Sequence, residues 1–232
     1  MLDIEMALKS EWHQNEVDSI YRSSLEQVEP KWLYDLKNFI ENEYHVHIMT
    51  LTYDEKSGKV YIIFYDYSDL ESFCEKSNIA FWQLPIKVNN KAIEFSGKED
   101  IQCKLSPLTF VPYARKAVFA AVAKQYESKL LDIISDKLPC WLYYKHYFAF
   151  IFETKEKAGE FLRSEYKQQM HKKIFEIAKT MDKYGVIKGS DVHIFADHQA
   201  HFDKMEGHYH QWLEELNDDE MNDYEKMLVI SN

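Results

Sequence analysis

Val60 to Phe73, VYIIFYDYSDLESF, decides how the rest of the chain is read, because Phe148 to Phe161, FAFIFETKEKAGEF, repeats its pattern position by position. In the first stretch Val60, Ile62 and Phe64 alternate with Tyr61, Ile63 and Tyr65. Such a run of β-branched and aromatic residues fits a pleated strand covered on both faces. Asp66 then stands where a helix cap is needed, and Leu70 and Phe73 fall on one helical face. The second stretch offers Phe148, Phe150 and Phe152 as the strand, Thr154 as the cap, and Ala158 and Phe161 as the helix face.

The residues upstream extend the repeat. Pro30 opens a helical pattern through Trp32, Leu33, Leu36, Phe39 and Ile40, and Ser128 sits in one through Leu130, Leu131, Ile134 and Leu138. In the first copy Val46–Tyr53 and Val60–Tyr65 flank a polar loop ending in Gly58, as a hairpin requires, whereas Cys140–Tyr144 runs almost directly into Tyr147. The expectation is an α+β fold of two related helix-strand-strand-helix modules, antiparallel strands packed against helices. Residues 1–106 form the first module with its hairpin, and residues 107–232 form the second, with a long basic helix and an acidic tail.

Along the chain, Ile4, Leu8, Trp12, Val17, Ile20, Tyr21 and Leu25 predict an opening amphipathic helix. Ile86 to Phe95 reads as two strands around Asn89-Asn90, a dipeptide suited to a two-residue turn. Ser96 to Tyr113 reads as a link and residues 114–138 as a helix. One further helix is predicted from Lys155 to Tyr184, ended by Gly185, with Lys157, Arg163, Lys167, Lys172, Lys173 and Lys179 on its outer face. Val192 to Phe195 reads as a strand, and Met227 to Ile230 as another.

Composition narrows the function classes. The 232 residues hold 46% hydrophobic and 15% aromatic residues, which is the make-up of a folded chain. Cys74, Cys103 and Cys140 are far apart in sequence and form no disulfide framework, so a reducing, cytoplasmic setting is expected. No window is apolar for long enough to span a bilayer. No P-loop, G-x-G-x-x-G, G-x-S-x-G or kinase signature occurs. The net charge of −11 is unevenly spread: residues 1–112 carry −8, residues 113–188 carry +6 and residues 189–232 carry −9. A basic middle between acidic flanks allows internal complementarity, or a negative face for a basic partner. Direct nucleic-acid binding would need a net basic module, and none is legible.

Two functional readings follow. The first is a non-catalytic protein that binds a basic protein, for example as an immunity protein sequesters a nuclease toxin, through aromatic anchors in an acidic rim. Its candidate contact residues are Trp212, Glu214, Glu215, Asp218, Asp219, Glu220, Asp223 and Tyr224. The alternative is a metal-dependent enzyme. Five of the ten histidines lie between His193 and His210, and His198, His201 and His208 would hold a divalent metal, with Met205 on the same helical stripe and Asp197, Asp203 or Glu206 as oxygen donors. His45 and His47, on an earlier strand, could join them. The spacing matches no established zinc motif, and Phe202, Met205, Tyr209, Trp212, Leu213 and Leu216 equally make an apolar face that histidines flank. A homo-oligomer built on the aromatic strands is a third arrangement the composition allows.

Overall fold

A computed structural model describes residues 4–25, 30–77, 84–106, 109–134, 138–145, 147–205, 207–215 and 218–230. It divides into two units, Met1–Ala117 and Val118–Asn232, each with its own mixed three-stranded sheet. The first contains α1 (Ile4–Leu25), α2 (Lys31–Tyr44), β1 (Ile48–Asp54), β2 (Lys59–Phe64), α3 (Tyr67–Ser77), α4 (Ile86–Ser96) and β3 (Gln102–Leu105). The division falls within α5 (Phe110–Leu131). There follow β4 (Cys140–Tyr144), β5 (Phe148–Phe152), α6 (Lys155–Arg163), α7 (Tyr166–Met181), β6 (Ile194–His198), α8 (Gln199–Lys204), α9 (Tyr209–Glu215) and α10 (Asp218–Ile230).

Both units are α+β and share one topology. In each sheet the first two strands are antiparallel and the third lies parallel beside the second. Val60, Ile62 and Phe64 of β2 are buried with Phe73 of α3, as Phe148, Phe150 and Phe152 of β5 are buried with Phe161 of α6. Phe64 lies 5.3 Å from Phe73 between ring centroids, and Phe152 lies 5.1 Å from Phe161. Thr154 caps α6 by accepting from the Lys157 N–H. Gly58 takes φ +66° at the end of the first hairpin loop, a backbone setting that favours glycine.

The structure corrects several expectations. Ile86–Phe95 is helix α4, not a hairpin: Val88 and Ala92, four apart, are buried, Pro85 stands at the start, and Gly97 at φ +67° closes the end by donating to the Ile93 carbonyl. A short apolar alternation fits either period, and here the helical one buries more. Within the supposed link, Ile101, Cys103 and Leu105 face the core and Gln102 and Lys104 face out, which makes β3. The long basic helix is two helices, separated where the Ser164 N–H donates to the Glu160 and Phe161 carbonyls. Met227–Ile230 belongs to α10 rather than to a strand, because Met221, Tyr224 and Leu228 step along one helical face. The side chains of Ile4, Leu8 and Trp12 lie outside the described residues.

Asn89, which the turn reading placed at the tip of a hairpin, has a different role. Its Oδ1 accepts from the Cys103 N–H at 3.0 Å and its Nδ2 donates to the Ile101 carbonyl at 3.4 Å. Both backbone groups point away from β2, so one side-chain amide occupies the outer edge of β3. On the opposite edge Glu41 Oε1 accepts from the Ile48 N–H at 2.9 Å and Lys37 Nζ donates to the Met49 carbonyl. An edge strand so engaged offers less to a foreign strand. Asn89→Leu leaves the buried Cys103 N–H without an acceptor and should cost about 1–3 kcal/mol in urea denaturation. Asn90→Leu, at an exposed position, should cost less than about 0.5 kcal/mol.

Candidate functional site

The cluster of polar side chains in the second unit is built on Asp197, which has 0% of its surface exposed. β6 delivers it: Ile194, Phe195 and Ala196 are buried, and Asp197 follows them into the interior at the strand's end. His198 then caps α8, its extended backbone at φ −130° and ψ 154° letting Nδ1 accept from the His201 N–H. That turn brings the His201 ring back over the strand.

Asp197 accepts four hydrogen bonds. Oδ1 receives the His198 N–H at 2.7 Å and the Tyr224 hydroxyl at 2.6 Å, and Oδ2 receives His201 Nδ1 at 2.7 Å and the Tyr209 hydroxyl at 2.9 Å. A buried carboxylate is tolerable only when its lone pairs are matched in this way. Burial, reinforced by the charge and the hydrogen bond of Asp197, pushes both phenols far above the usual tyrosine range, so they stay protonated donors. One side chain thereby fastens α8 through His201, α9 through Tyr209 and α10 through Tyr224.

Aromatic rings enclose the polar centre. His201 lies 4.8 Å from Trp212 and 5.1 Å from Tyr224 between ring centroids, and Phe195 lies 5.7 Å from Trp212. Phe202 lies 4.7 Å from Trp141, whose indole N–H donates to Gln199 Oε1. Further along α10, Lys167 of α7 pairs with Glu225 at 2.6 Å, which joins the basic helical face to the acidic tail. A Cβ added to Gly159 would stand 2.6 Å from the Leu228 carbonyl oxygen, so α6 and α10 touch backbone to backbone.

The residues proposed from the sequence distribute as follows. Trp212 and Tyr224 are half-buried in the aromatic cage, and the Tyr224 hydroxyl is committed to Asp197. Glu215, Asp219, Glu220 and Asp223 are exposed on α9 and α10, while the side chains of Glu214 and Asp218 lie outside the described residues. His198 and His201 come together, with ring centroids 6.0 Å apart, whereas His208 is exposed at the start of α9. Asp203 accepts from Gln199, and Glu206 lies outside the described residues. His45 ends α2, not a strand, in the first unit, and His47 stacks on Tyr65.

Among the described residues no three His, Cys, Asp or Glu side chains stand together as a metal ligand set. The hydrogen bonding keeps His198, though not His201, from offering a lone pair. His201, with its Nδ1 on a carboxylate, has the arrangement of a metal-binding imidazole. Neutral His198 uses Nδ1 as the acceptor for the cap, so Nε2 carries its proton and offers no lone pair. The histidine run was visible in the sequence. Asp197 as the centre was not, because its tyrosine partners lie 12 and 27 residues further on.

Comparison of the chain with protein-family models, with curated proteins and with solved structures finds no match.

Two tests follow. Tyr209→Phe removes one hydrogen bond to a charged acceptor and should cost about 1.5–3 kcal/mol. Asp197→Ala strands all four donors at once and should cost about 3–5 kcal/mol; urea denaturation followed by tryptophan fluorescence reads both. His198 holds its proton less tightly than usual because of burial, and a protonated ring could not accept the capping bond. The unfolded chain therefore takes up this proton first as the pH falls. Stability should be level above about pH 7 and decline as the pH drops through about 6.5. His198→Asn, which keeps a capping acceptor without titrating, should flatten that decline.

Proposed function

We propose that this chain works by binding another protein of net positive charge, through the outward side of α10. The observation that carries this reading is a single helical stripe. Asp219, Asp223, Met227 and Ile230 follow one another at spacings of four, four and three, and all are exposed, Met227 by 56% and Ile230 by 77%, with Asp223 paired to the exposed Lys226 at 2.7 Å. Large exposed apolar side chains inside a polar rim, on a helix whose other side is packed, fit an interaction surface. Glu215 and Glu220 widen that rim, and residues 189–232 carry −9. The anchors of this surface are Met227 and Ile230, since Trp212 and Tyr224 are taken up by the cage.

The inner face of α10 supports the same reading. Tyr224 is tied to Asp197 and Glu225 to Lys167, so the stripe is presented on a fixed support. A surface held in place loses little conformational entropy on binding. The class of partner that fits is a protein with a basic, phosphate-seeking surface, such as a nuclease toxin sequestered in the manner of an immunity protein. An acidic stripe steers such a partner at long range and competes for the surface that would meet nucleic acid.

Affinity capture from native lysate at about 0.05 M salt, eluted at about 0.5 M, tests the charge dependence. The expected result is a basic protein, retained by the natural chain and bound at least about tenfold more weakly by Asp219→Lys/Asp223→Lys. Met227→Ser/Ile230→Ser should weaken it comparably by raising the off-rate, and any nuclease activity of the captured protein should fall stoichiometrically on adding the natural chain. Absence of a basic partner, or capture unchanged in both folded variants, overturns the reading.

A further inference from the structure

We propose that His201 is a nucleophile, which takes the acyl group of a small neutral ester on Nε2 and passes it to water. Asp197 fixes the tautomer. Its carboxylate only accepts, so Nδ1 of His201, 2.7 Å away, carries the ring hydrogen and the lone pair stands on Nε2. Both Asp197 oxygens, both tyrosine hydroxyls and Nδ1 of His198 are engaged within the cluster. Nε2 of His201 has no hydrogen-bond partner among the described residues. The cage also turns this atom outward. Asp197, with no exposed surface, closes the Nδ1 edge of the ring, while Tyr224 lies alongside at 32° and Trp212 stands at 80° to it. Yet 17% of the His201 side chain is exposed, and the edge bearing Nε2, away from the buried carboxylate, is the part left to meet solvent.

A carboxylate on Nδ1 stabilises the imidazolium that forms as Nε2 bonds to an electrophile, and does so most where water is excluded. Among the described histidines His201 alone has a carboxylate on a ring nitrogen. His210 has the same tautomer on a neutral partner, its Nδ1–H donating to the Gly207 carbonyl at 2.9 Å. The surroundings select the substrate. Residues 189–232 carry −9, which repels phosphoryl donors and free carboxylates, and the described residues gather no ligand set for a metal. The rim is made by the half-buried rings of Trp212 and Tyr224. A neutral acyl group, short enough to lie against the Trp212 ring, suits both.

In the first step the Nε2 lone pair bonds to the carbonyl carbon and the alkoxide departs with the C–O bonding pair, taking a proton from water. The acyl imidazolium keeps its Nδ1 proton on Asp197. Water then adds to the acyl carbon and loses a proton to solvent, and the C–N bond breaks with its electrons returning to Nε2. Ester and water become acid and alcohol, and the neutral imidazole is restored. Neither Met227 nor Ile230 takes part, so this activity and the binding proposed for α10 stand or fall separately.

The test treats the untagged natural chain with limiting diethyl pyrocarbonate, locates the modified histidines by mass spectrometry, and follows hydrolysis of para-nitrophenyl acetate in parallel. His201 should be ethoxyformylated at least about tenfold faster than exposed His208 and than His210. Ester hydrolysis should fall at least about tenfold in His201→Asn. Asparagine keeps an N–H donor for Asp197 near the Nδ1 position, and tryptophan fluorescence checks that the variant is folded. The labelling needs no variant and decides the matter where His201→Asn fails to fold. Labelling of His201 at or below the rate of His210, or hydrolysis that survives in folded His201→Asn, overturns the proposal.

Discussion

A carboxylate with no access to water must find as many donors as it has lone pairs to fill, and the second unit is arranged to meet that demand at Asp197. The strand brings the charge inside, and three separate helices each return one donor to it. Removing any one helix would leave the carboxylate short of a partner in surroundings of low polarity, where water cannot substitute. The three short helices thus hold their places by a shared obligation more than by their own propensity, since segments of this length are marginal alone. The aromatic cage adds apolar burial and excludes competing water.

The two units show what that obligation adds to a common frame. In both, the face of the central strand bearing Val60 or Phe148 packs on the following helix. The opposite face is treated differently. In the first unit β2 shows exposed Tyr61 on it, next to exposed Lys104 of β3. In the second unit the equivalent pair, Ala149 and Phe195, is fully covered by the cage. The repeated strand-strand-helix pattern specifies one packed face, and the chain that follows decides what happens to the other.

This distinction also marks how far the sequence could be read. The repeat around Val60 and Phe148 and the cap at Thr154 were legible because each depends on neighbours a few residues away. Asn89-Asn90 misled, since a short apolar alternation fits a hairpin and a helix face alike, and only the position of β3 decides between them. Met227–Ile230 misled for the same reason, an unbroken apolar run having no period of its own. The five gathered histidines were visible, but the tautomers of His198 and His201 follow from what their Nδ1 atoms meet in space. Nothing in one sequence says that Tyr209 and Tyr224 turn inward while Asp219 and Asp223 turn out.

Asn89 has a consequence beyond holding two backbone groups. Because the amide that occupies the rim of β3 is carried by α4, any fluctuation that lifts the helix also strips the strand. Local opening at this point would release adhesive backbone, and the first unit would be most prone to misassembly in a partly unfolded form, well before its core is lost. Protection against runaway association in this half of the molecule is thus only as durable as the seating of one eleven-residue helix.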